Sequence, residues 1–183
     1  MRALYIGRFQ PFHLGHLHIV KYILEVSKEV IIAIGSSQVS HTVHNPFTAG
    51  ERFLMIKKTL ETEGVDLRRV HILPVPDIYR NALWVKHVET ITPPFDVVYA
   101  NEPVTVRLFK ESNYNVKVTA LYKRNVYSGE EIRNRILENK DWEILVPKAT
   151  VEVIKDIDGV ARLLEIIKSD KKETSYQEMT NSI

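Results

Sequence analysis

The chain has no cysteine among its 183 residues, no large charge excess of one sign and no long hydrophobic run. Without cysteine it forms no disulfide and performs no thiol chemistry, which is typical of a protein from a reducing compartment. Its 25 basic and 23 acidic residues leave a net charge of +2, too small to indicate a nucleic-acid partner. No apolar stretch reaches the roughly 18 residues of a membrane span. We therefore expect a cytoplasmic protein with no membrane-spanning segment and no signal peptide.

Apolar segments of two different periods alternate along the chain. Short apolar runs rich in β-branched residues predict five buried strands, at residues 3–6, 30–34, 70–75, 97–100 and 116–121. Segments with apolar residues at helical spacing lie between them. A repeat of strand and helix is typical of a parallel, doubly wound sheet. The predicted fold class is therefore α/β, with a single Rossmann-like sheet of about five strands followed by C-terminal helices.

The last third of the chain predicts helices and then a tail. Pro147 and the pair Asp158-Gly159 divide residues 141–168 into short helices. Their apolar stripes are expected to pack on the core or on a neighbouring subunit. Residues 169–183 are polar and show no apolar period, which predicts a flexible tail. We therefore expect one domain over residues 1–168 and a tail over residues 169–183.

The connection between the first strand and the first helix carries most of the candidate chemistry. The apolar run ends at Gly7, and His13 and His16 stand three residues apart where the helical pattern begins. The free N–H groups and the positive dipole end of a helix start attract anions. Protonated imidazoles at that position require an anion beside them. The segment therefore predicts a phosphate-binding turn.

Two other interpretations of this histidine pair are open. Both side chains could be ordinary helix-start residues, or they could form part of a metal site completed by His18, His41 or His44. A structural zinc site needs four nitrogen or sulfur ligands, and the chain has no cysteine. The phosphate-binding interpretation is therefore favoured.

The run Gly7 to His16, GRFQPFHLGH, resembles the HxGH signature of the nucleotidyltransferases. The longer match around it, with VPDI, NALW, PFTAGER and TPPFD further along, resembles the archaeal-type nicotinamide-nucleotide adenylyltransferases over nearly all of residues 2–168. The resemblance implies transfer of the adenylyl group of ATP to nicotinamide mononucleotide (NMN), which yields NAD and pyrophosphate. Mg²⁺ would arrive on ATP, since this ion usually binds through phosphate and water, and no metal-ligating residue is expected. The resemblance further implies small-molecule nucleotide partners and a homo-oligomer, a hexamer in this family.

Ser128 and Glu131 have the spacing of a helix capping box, which by itself favours a purely structural role. The resemblance instead assigns Ser128 and Arg133 to a second phosphate-binding motif, in which a planar guanidinium can bind two phosphate oxygens. It implies that the catalytic residues are Arg8, His13, His16 and Arg133. The expected nucleotide-binding residues are Gly7, Phe9, Ser36, His44, Asp77, Ile78, Asn81, Trp84, Arg124, Tyr127 and Ser128.

Substrate choice is expected to depend on Asp77, Asn81 and Trp84. Spacing places the last two on one face of a helix near its start. An indole can stack on the flat nicotinamide cation, and an amide can bind its carboxamide. The alternative is that Trp84 is an ordinary core residue, which is common for tryptophan.

One position departs from the family pattern. Two residues before the proline of PFTAGER, where the family usually has arginine, this chain has His44. A side chain that titrates near neutral pH therefore replaces one of fixed charge.

Two further functions compete with the leading one. The enzyme could adenylylate or cytidylylate another phosphate, such as phosphopantetheine or a flavin nucleotide, although Asp77, Asn81 and Trp84 argue against it. The chain could also be a non-catalytic nucleotide sensor, because a fold does not dictate a function. The presence of His13, His16 and Arg133 argues against an inactive site.

Overall fold

A computed structural model describes residues 1–119 and 126–180 of the chain. Its sheet has five parallel strands, β1 Arg2–Gly7, β2 Glu29–Ile34, β3 Val70–Pro74, β4 Val97–Tyr99 and β5 Asn115–Lys117, in the order β3-β2-β1-β4-β5. This arrangement confirms the predicted doubly wound α/β fold. Strand order reverses between β1 and β4, and the connections after these two strands open a crevice at the carboxyl edge of the sheet.

Seven helices cover the sheet in the described part of the chain. They are α1 Leu14–Val26, α2 Ala49–Thr62, α3 Asn81–Ile91, α4 Pro103–Glu111, α5 Gly129–Leu137, α6 Lys148–Asp156 and α7 Gly159–Thr180, with 3₁₀ turns at Leu67–Arg69 and Glu143–Leu145. Helices α1, α2, α5, α6 and α7 contribute to the core on one face of the sheet, and α3 and α4 to the core on the other. No helix in the described ranges is both long and apolar enough to cross a membrane.

Alternation along the strands explains the two cores. Neighbouring residues of β1, Leu4 and Tyr5, point to opposite faces, as do Ile31 and Ile32 of β2, and all four are buried. Strands buried on both faces read as continuous apolar runs, which is why the sequence shows no polar alternation there. Each fully buried aliphatic side chain contributes about 1.5–3 kcal/mol. The two cores therefore hold the carboxyl ends of β1, β2 and β4 in fixed positions.

Three predicted boundaries differ from the structure. Strand β5 ends at Lys117, and residues 118 and 119 are irregular, because β5 is an edge strand paired only with β4; residues 120 and 121 of the predicted strand lie outside the described residues. The segment Asp77 to Trp84 predicts the start of a helix that runs to about Ile91, but helix α3 begins four residues later, at Asn81. Helix α7 continues to Thr180, beyond residue 168, where the predicted domain ends and the predicted flexible tail begins. That segment lacks proline and glycine, the two residues least compatible with a helix interior.

Candidate active site

His13 and His16 cap the start of α1 reciprocally. The Nδ1 atom of His13 accepts the backbone N–H of His16 at 3.2 Å, and the backbone N–H of His13 donates to Nδ1 of His16 at 3.3 Å. The two rings stack with their centroids 3.4 Å apart. Because both Nδ1 atoms accept hydrogen bonds, each neutral ring carries its proton on Nε2. The pair therefore offers two Nε2–H donors, a capping arrangement that the sequence did not indicate.

Burial keeps both imidazoles neutral in the absence of an anion. Desolvation lowers the pKa of His13 to about 3. Desolvation, with the neighbouring His13 ring second, lowers the pKa of His16 well below its ordinary value. A phosphate placed against the two rings would oppose both shifts. The charge of the pair is therefore set by what occupies the site.

The aromatic residues of the turn fix the orientation of His16. The rings of Phe9 and Phe12 lie 4.8 and 5.5 Å from its imidazole, centroid to centroid. Phe9 has a left-handed backbone, with φ of 52°, a conformation that costs energy in a non-glycine residue. A Cβ on Gly15 would lie 3.1 Å from the His13 ring. A side chain at position 15 would therefore force the His13 ring to shift slightly.

A second helix start faces the first. The Oγ atom of Ser128 accepts the backbone N–H of Glu131 at 3.1 Å, as predicted. The return half of the predicted capping box does not form, because the Glu131 carboxylate accepts a hydrogen bond from Arg135 at 2.8 Å. Arg133 is buried and donates from Nη1 to the carbonyl of Gln10 at 2.7 Å. This bond joins the two helix starts across 123 residues of sequence.

Two adjoining cavities open at this junction. They have volumes of about 480 and 440 Å³ and share the lining residues Arg8, His13, His16, Ser128 and Gly129. The larger cavity extends between β1 and β4, and its other lining residues include Tyr5, Gly7, Ser36, Asp77, Trp84, Asn101, Glu102, Thr105 and Tyr127. The smaller cavity extends toward α5 and includes Phe9, Gln10, His44, Glu130 and Arg133. Together they form one crevice with the histidine pair at its centre.

The crevice is electropositive near the histidines. Arg8 is exposed and lines both cavities. Burial and then the charge of Arg8 lower the pKa of Arg133. Burial and then the same charge lower the pKa of Arg52 to about 10, and it stays protonated at neutral pH. Arg8 thus repels two other guanidinium groups at this edge of the sheet, and such an arrangement favours a polyanionic ligand.

Trp84 packs in the core and also lines the larger cavity. It is 9% exposed, lines the larger cavity and contacts Phe109 edge to face at 5.7 Å. Asp77 lines the same cavity. Asn81 is the exposed first residue of α3, and Ile78 packs against the core beneath α3. These last two expected binding residues lie outside the cavity lining.

Most of the expected site residues line the crevice, and one lies outside the described residues. Those that line the crevice are Gly7, Arg8, Phe9, His13, His16, Ser36, His44, Asp77, Trp84, Tyr127, Ser128 and Arg133. Arg124 lies outside the described residues. Their catalytic and binding roles stay predictions. Among the described side chains, those of residues 1–119 and 126–169, no group of three or more His, Asp or Glu could hold a metal ion.

Sequence reasoning missed four residues that shape the site. Arg52 and Gln10 belong to the quoted segments PFTAGER and GRFQPF, but their spacing gave no sign that their side chains bind distant backbone. Asn101 and Glu102 follow β4, and their place beyond a strand end was the signal available. Glu102 also caps α4 by accepting the N–H groups of Val104 and Thr105.

The sequence profile described as cytidylyltransferase-like matches residues 4–135. The match covers both helix starts, the strands of the sheet and the histidine pair. The chain belongs to this family of nucleotide transferases. The chain is similar in structure to the bifunctional NMN adenylyltransferase/ADP ribose pyrophosphatase of Francisella tularensis, solved in complex with AMP and a manganese ion. The similarity covers 100% of this chain, with a TM-score of 0.76 and 25% sequence identity. The chain corresponds to 56% of the length of that protein.

Curated relatives narrow the family further. The nicotinamide-nucleotide adenylyltransferase of Archaeoglobus fulgidus is 52% identical over 93% of this chain and 99% of its own length. The enzymes of that name from Methanolobus tindarius and Saccharolobus solfataricus are 54% and 51% identical over 93% of this chain, and over 96% and 99% of their own lengths. The chain therefore belongs to the nicotinamide-nucleotide adenylyltransferases, which confirms the resemblance drawn from its motifs.

Proposed function

We propose that this protein transfers the adenylyl group of ATP to nicotinamide mononucleotide and releases NAD and pyrophosphate. The observation that carries the proposal is the crevice in which two helix starts, the His13–His16 pair and the exposed Arg8 meet, with Trp84 at one end and Arg133 at the other. The family of the chain, with relatives above 50% identity over nearly their whole length, supports the same reaction.

The polyphosphate of ATP fits the positive half of the crevice. Two helix starts direct free N–H groups and positive dipole ends at one position, an arrangement that binds phosphates in many α/β proteins. Arg8 on one side and Arg133 on the other supply guanidinium donors. Ser128 and the two imidazole Nε2–H groups add neutral donors. We assign the β and γ phosphates of ATP to the smaller cavity and the α phosphate to the histidine pair.

The chemistry needs no covalent enzyme intermediate. A 5′-phosphate oxygen of NMN forms a bond to the α phosphorus of ATP, and the bond from that phosphorus to the bridging oxygen of pyrophosphate breaks. Charge builds on the nonbridging oxygens of the α phosphate and on the leaving group. Preorganised donors that face these oxygens stabilise the transition state more than the ground state. The histidine pair and the arginines serve this purpose.

The nicotinamide ring is assigned to the Trp84 end of the larger cavity. An indole face attracts a pyridinium cation and excludes water from it. Asp77 lines the same end and adds a negative charge that favours the cation. The edge-to-face contact with Phe109 holds the indole plane in place. Phosphopantetheine and flavin nucleotides lack a compact aromatic cation and have no such partner.

We further propose that Mg²⁺ enters with ATP and binds the triphosphate and water. Mg²⁺ commonly keeps several waters and binds through substrate phosphates, so this assignment requires no dedicated cluster of protein carboxylates. When bound, the ion would supply additional charge neutralisation of the polyphosphate. A homo-oligomer, a hexamer as the family resemblance implies, and a cytoplasmic location remain proposals of the same kind.

The test is incubation of the pure protein with ATP, Mg²⁺ and a set of phosphate acceptors: NMN, nicotinic acid mononucleotide, phosphopantetheine and flavin mononucleotide. We expect equal amounts of NAD and pyrophosphate from NMN. Pyrophosphate release with phosphopantetheine, without product from either pyridine nucleotide, would contradict the proposal. Binding of ATP without turnover of any of the four acceptors would indicate a nucleotide sensor.

A matched pair of variants assigns the turnover to this crevice. Arg133 and Arg135 lie on the same helix, but only Arg133 lines the cavity, whereas Arg135 pairs with Glu131. Arg133→Gln is expected to lower kcat/KM for ATP about 100-fold or more, the effect of losing a phosphate-binding donor. Arg135→Gln is expected to change it less than about twofold, since its pair is partly exposed. Circular dichroism of both variants checks that they fold.

A further inference from the structure

Arg52 is the largest side chain that the structure buries completely, with 0% of its surface exposed. It lies in the first turns of α2, behind the crevice, and it lines neither cavity. An arginine is rarely buried to this extent without a paired carboxylate. The hydrogen bonds of the Arg52 guanidinium explain why an arginine occupies this position.

The guanidinium binds backbone carbonyls of the two loops that line the site. Its Nη1 donates to the carbonyls of Arg8 and Gly35, both at 2.8 Å, and its Nη2 donates to the carbonyl of Ser36 at 3.1 Å. Its Nε donates to the carbonyl of Thr48 at 3.2 Å, within α2's own first turn. Arg8 follows β1, and Gly35 and Ser36 follow β2, so one rigid, planar group joins the ends of two neighbouring strands to a helix.

The charge of Arg52 is balanced by dipoles and not by a carboxylate hydrogen bond. The adjacent Glu51 carboxylate is occupied by Arg162, at 2.8 Å on each oxygen, and by the backbone N–H of Thr48. The pKa of Arg52 is lowered to about 10, first by burial and then by Arg8, so the group remains protonated at neutral pH. A positive charge thus sits in a low-dielectric region behind the loops, where its field is screened little by solvent.

The loops that Arg52 binds contain the residues that face the crevice. Arg8 lines both cavities, and Gly35 and Ser36 line the larger one. Ser36 has a left-handed backbone with φ of 47°, a conformation that persists only where surrounding contacts impose it. The hydrogen bond from Arg52 to the Ser36 carbonyl is such a contact. Without Arg52, the carbonyls of Arg8 and Gly35 would lose this donor, and the carbonyl of Ser36 would keep only the backbone N–H of Val39.

We propose that Arg52 is a positioning residue for adenylyl transfer, which holds the loops after β1 and β2 in one arrangement and adds a buried positive charge behind the polyphosphate. This inference rests on the proposed function. It assigns to Arg52 an effect on the transition state that a residue important only for stability would not have. Arg52 touches no substrate; it acts through Arg8 and Ser36.

The chain offers a matched control for the test. Arg69 also binds backbone carbonyls, those of Lys28, Leu24 and Ser27 at 2.8, 2.6 and 2.8 Å. These carbonyls lie at the end of α1 and before β2, at the opposite edge of the sheet from the crevice. Loss of either arginine removes a carbonyl-binding guanidinium. Only loss of Arg52 is expected to affect catalysis.

The experiment compares Arg52→Lys, Arg52→Gln and Arg69→Gln with the native enzyme at a temperature where each is folded. Rates are divided by the concentration of ATP-binding sites from calorimetric titration. For Arg52→Gln we expect kcat/KM for ATP to fall about 10- to 100-fold, as for a small misplacement of reacting groups, with kcat lowered and KM for NMN within about twofold. Arg52→Lys keeps the charge and is expected to recover part of this loss, mainly in ATP affinity. Arg69→Gln is expected to lower Tm and leave kcat and both KM values unchanged.

A second measurement keeps the test decisive if Arg52→Gln does not fold. Amide hydrogen exchange of residues 7–10 and 35–38 should accelerate in Arg52→Lys and not in Arg69→Gln. Native kcat and KM in folded Arg52 variants, or unchanged exchange in both loops, would overturn the proposal. If the native enzyme itself makes no NAD, the proposed function fails. The positioning of phosphate ligands is then judged separately, from the ATP affinities of the same variants.

Discussion

The histidine pair shows how single residues tune this site. In each ring, Nδ1 accepts a hydrogen bond from the backbone N–H of the other histidine, so Nε2–H can donate to a ligand. Their surroundings keep both rings neutral until an anion arrives. The phosphate oxygens become more negative in the transition state. A hydrogen bond donated by an imidazole N–H therefore stabilises the transition state more than the substrate.

His16→Ala removes one of these donors. We expect kcat/KM to fall by a factor corresponding to about 2–4 kcal/mol of transition-state stabilisation, the usual contribution of a preorganised donor. Because Nδ1 of His16 also accepts the backbone N–H of His13 at the start of α1, the free energy of unfolding should fall by about 1 kcal/mol. Steady-state kinetics and denaturant titration separate the two effects. His18→Ala, an exposed position on the same helix, is the control; equal turnover in both variants would remove His16 from the mechanism.

His44 gives this chain a property that an arginine in its place would not have. It is exposed and lines the smaller cavity with Arg8, Arg133 and the histidine pair. An imidazole can gain or lose a proton, whereas a guanidinium stays charged. A bound polyphosphate favours the protonated form, so ATP affinity is expected to fall as pH rises.

The comparison is between the native protein and His44→Arg. His13 and His16 contribute a similar trend in both, while Glu130 is the carboxylate lining the same cavity. We expect ATP affinity measured calorimetrically from pH 5.5 to 8.5 to fall less steeply in His44→Arg, and to be higher at pH 8.5. Identical slopes would show that His44 does not contact phosphate.

At the scale of elements, the contact between the start of α5 and the turn before α1 decides the shape of the crevice. A Cβ on Gly129 would lie 2.6 Å from the carbonyl oxygen of Gln10, the atom to which Arg133 donates. The turn is held from its other side by Gln10, whose side chain forms two hydrogen bonds with the backbone of Phe47 at 2.8 and 3.0 Å. The two helix starts therefore cannot separate or approach freely.

Gly129→Ala tests this contact. We expect a shift of α5, loss of about 1–3 kcal/mol of stability from overpacking, and a lowered kcat/KM for ATP as Arg133 moves. Gly50→Ala is the matched control, because a Cβ there meets nothing within 4 Å in the helix α2. That change should stabilise the protein by about 0.5–1 kcal/mol with activity unchanged. Thermal denaturation and steady-state kinetics measure both; a stabilised, fully active Gly129→Ala would contradict the role of this contact.

At the scale of the whole molecule, burial of the histidines couples folding to pH. The folded-state pKa of His13 is about 3, below the roughly 6.5 of an unfolded chain. The unfolded state therefore binds more protons as pH falls. The stabilising contribution is complete above about pH 6.5 and is lost as pH is lowered toward 3.

When pH falls from 7.5 to 5, the free energy of unfolding should decrease by about 2 kcal/mol because of His13, and further because of His16. Urea titrations across this window, which lies above the range where carboxylates protonate, measure it. His13→Asn keeps a capping acceptor but does not titrate, so its stability should vary less with pH. Saturating ATP should also reduce the dependence, since bound phosphate favours the protonated rings. A native protein with constant stability over this range would show that these imidazoles are not buried as described.

Several features of the site could be read from local sequence because their cause is local. The turn after β1, the cap of Thr48 on α2 and the helix start at Ser128 follow from residue types within one or two turns of each other. The place of Trp84 beside the crevice was expected from the family resemblance, because helical spacing alone puts Asn81 on the same face and Asn81 does not line the cavity. The extent of α7 could not be read in this way, because a polar segment without an apolar stripe gives little sign of whether a preceding helix continues through it.

The sequence by itself determined the class of fold, the turn between β1 and α1 that carries the histidine pair, and the family, since alternating apolar periods and contiguous motifs carry that information over short stretches. Only the tertiary structure decided that Arg52 binds the carbonyls of two distant loops and that Arg133 donates to the carbonyl of Gln10. Each of these contacts depends on which buried polar group has no nearer partner once the strands are packed. That competition involves residues up to 123 positions apart, and no local pattern records it.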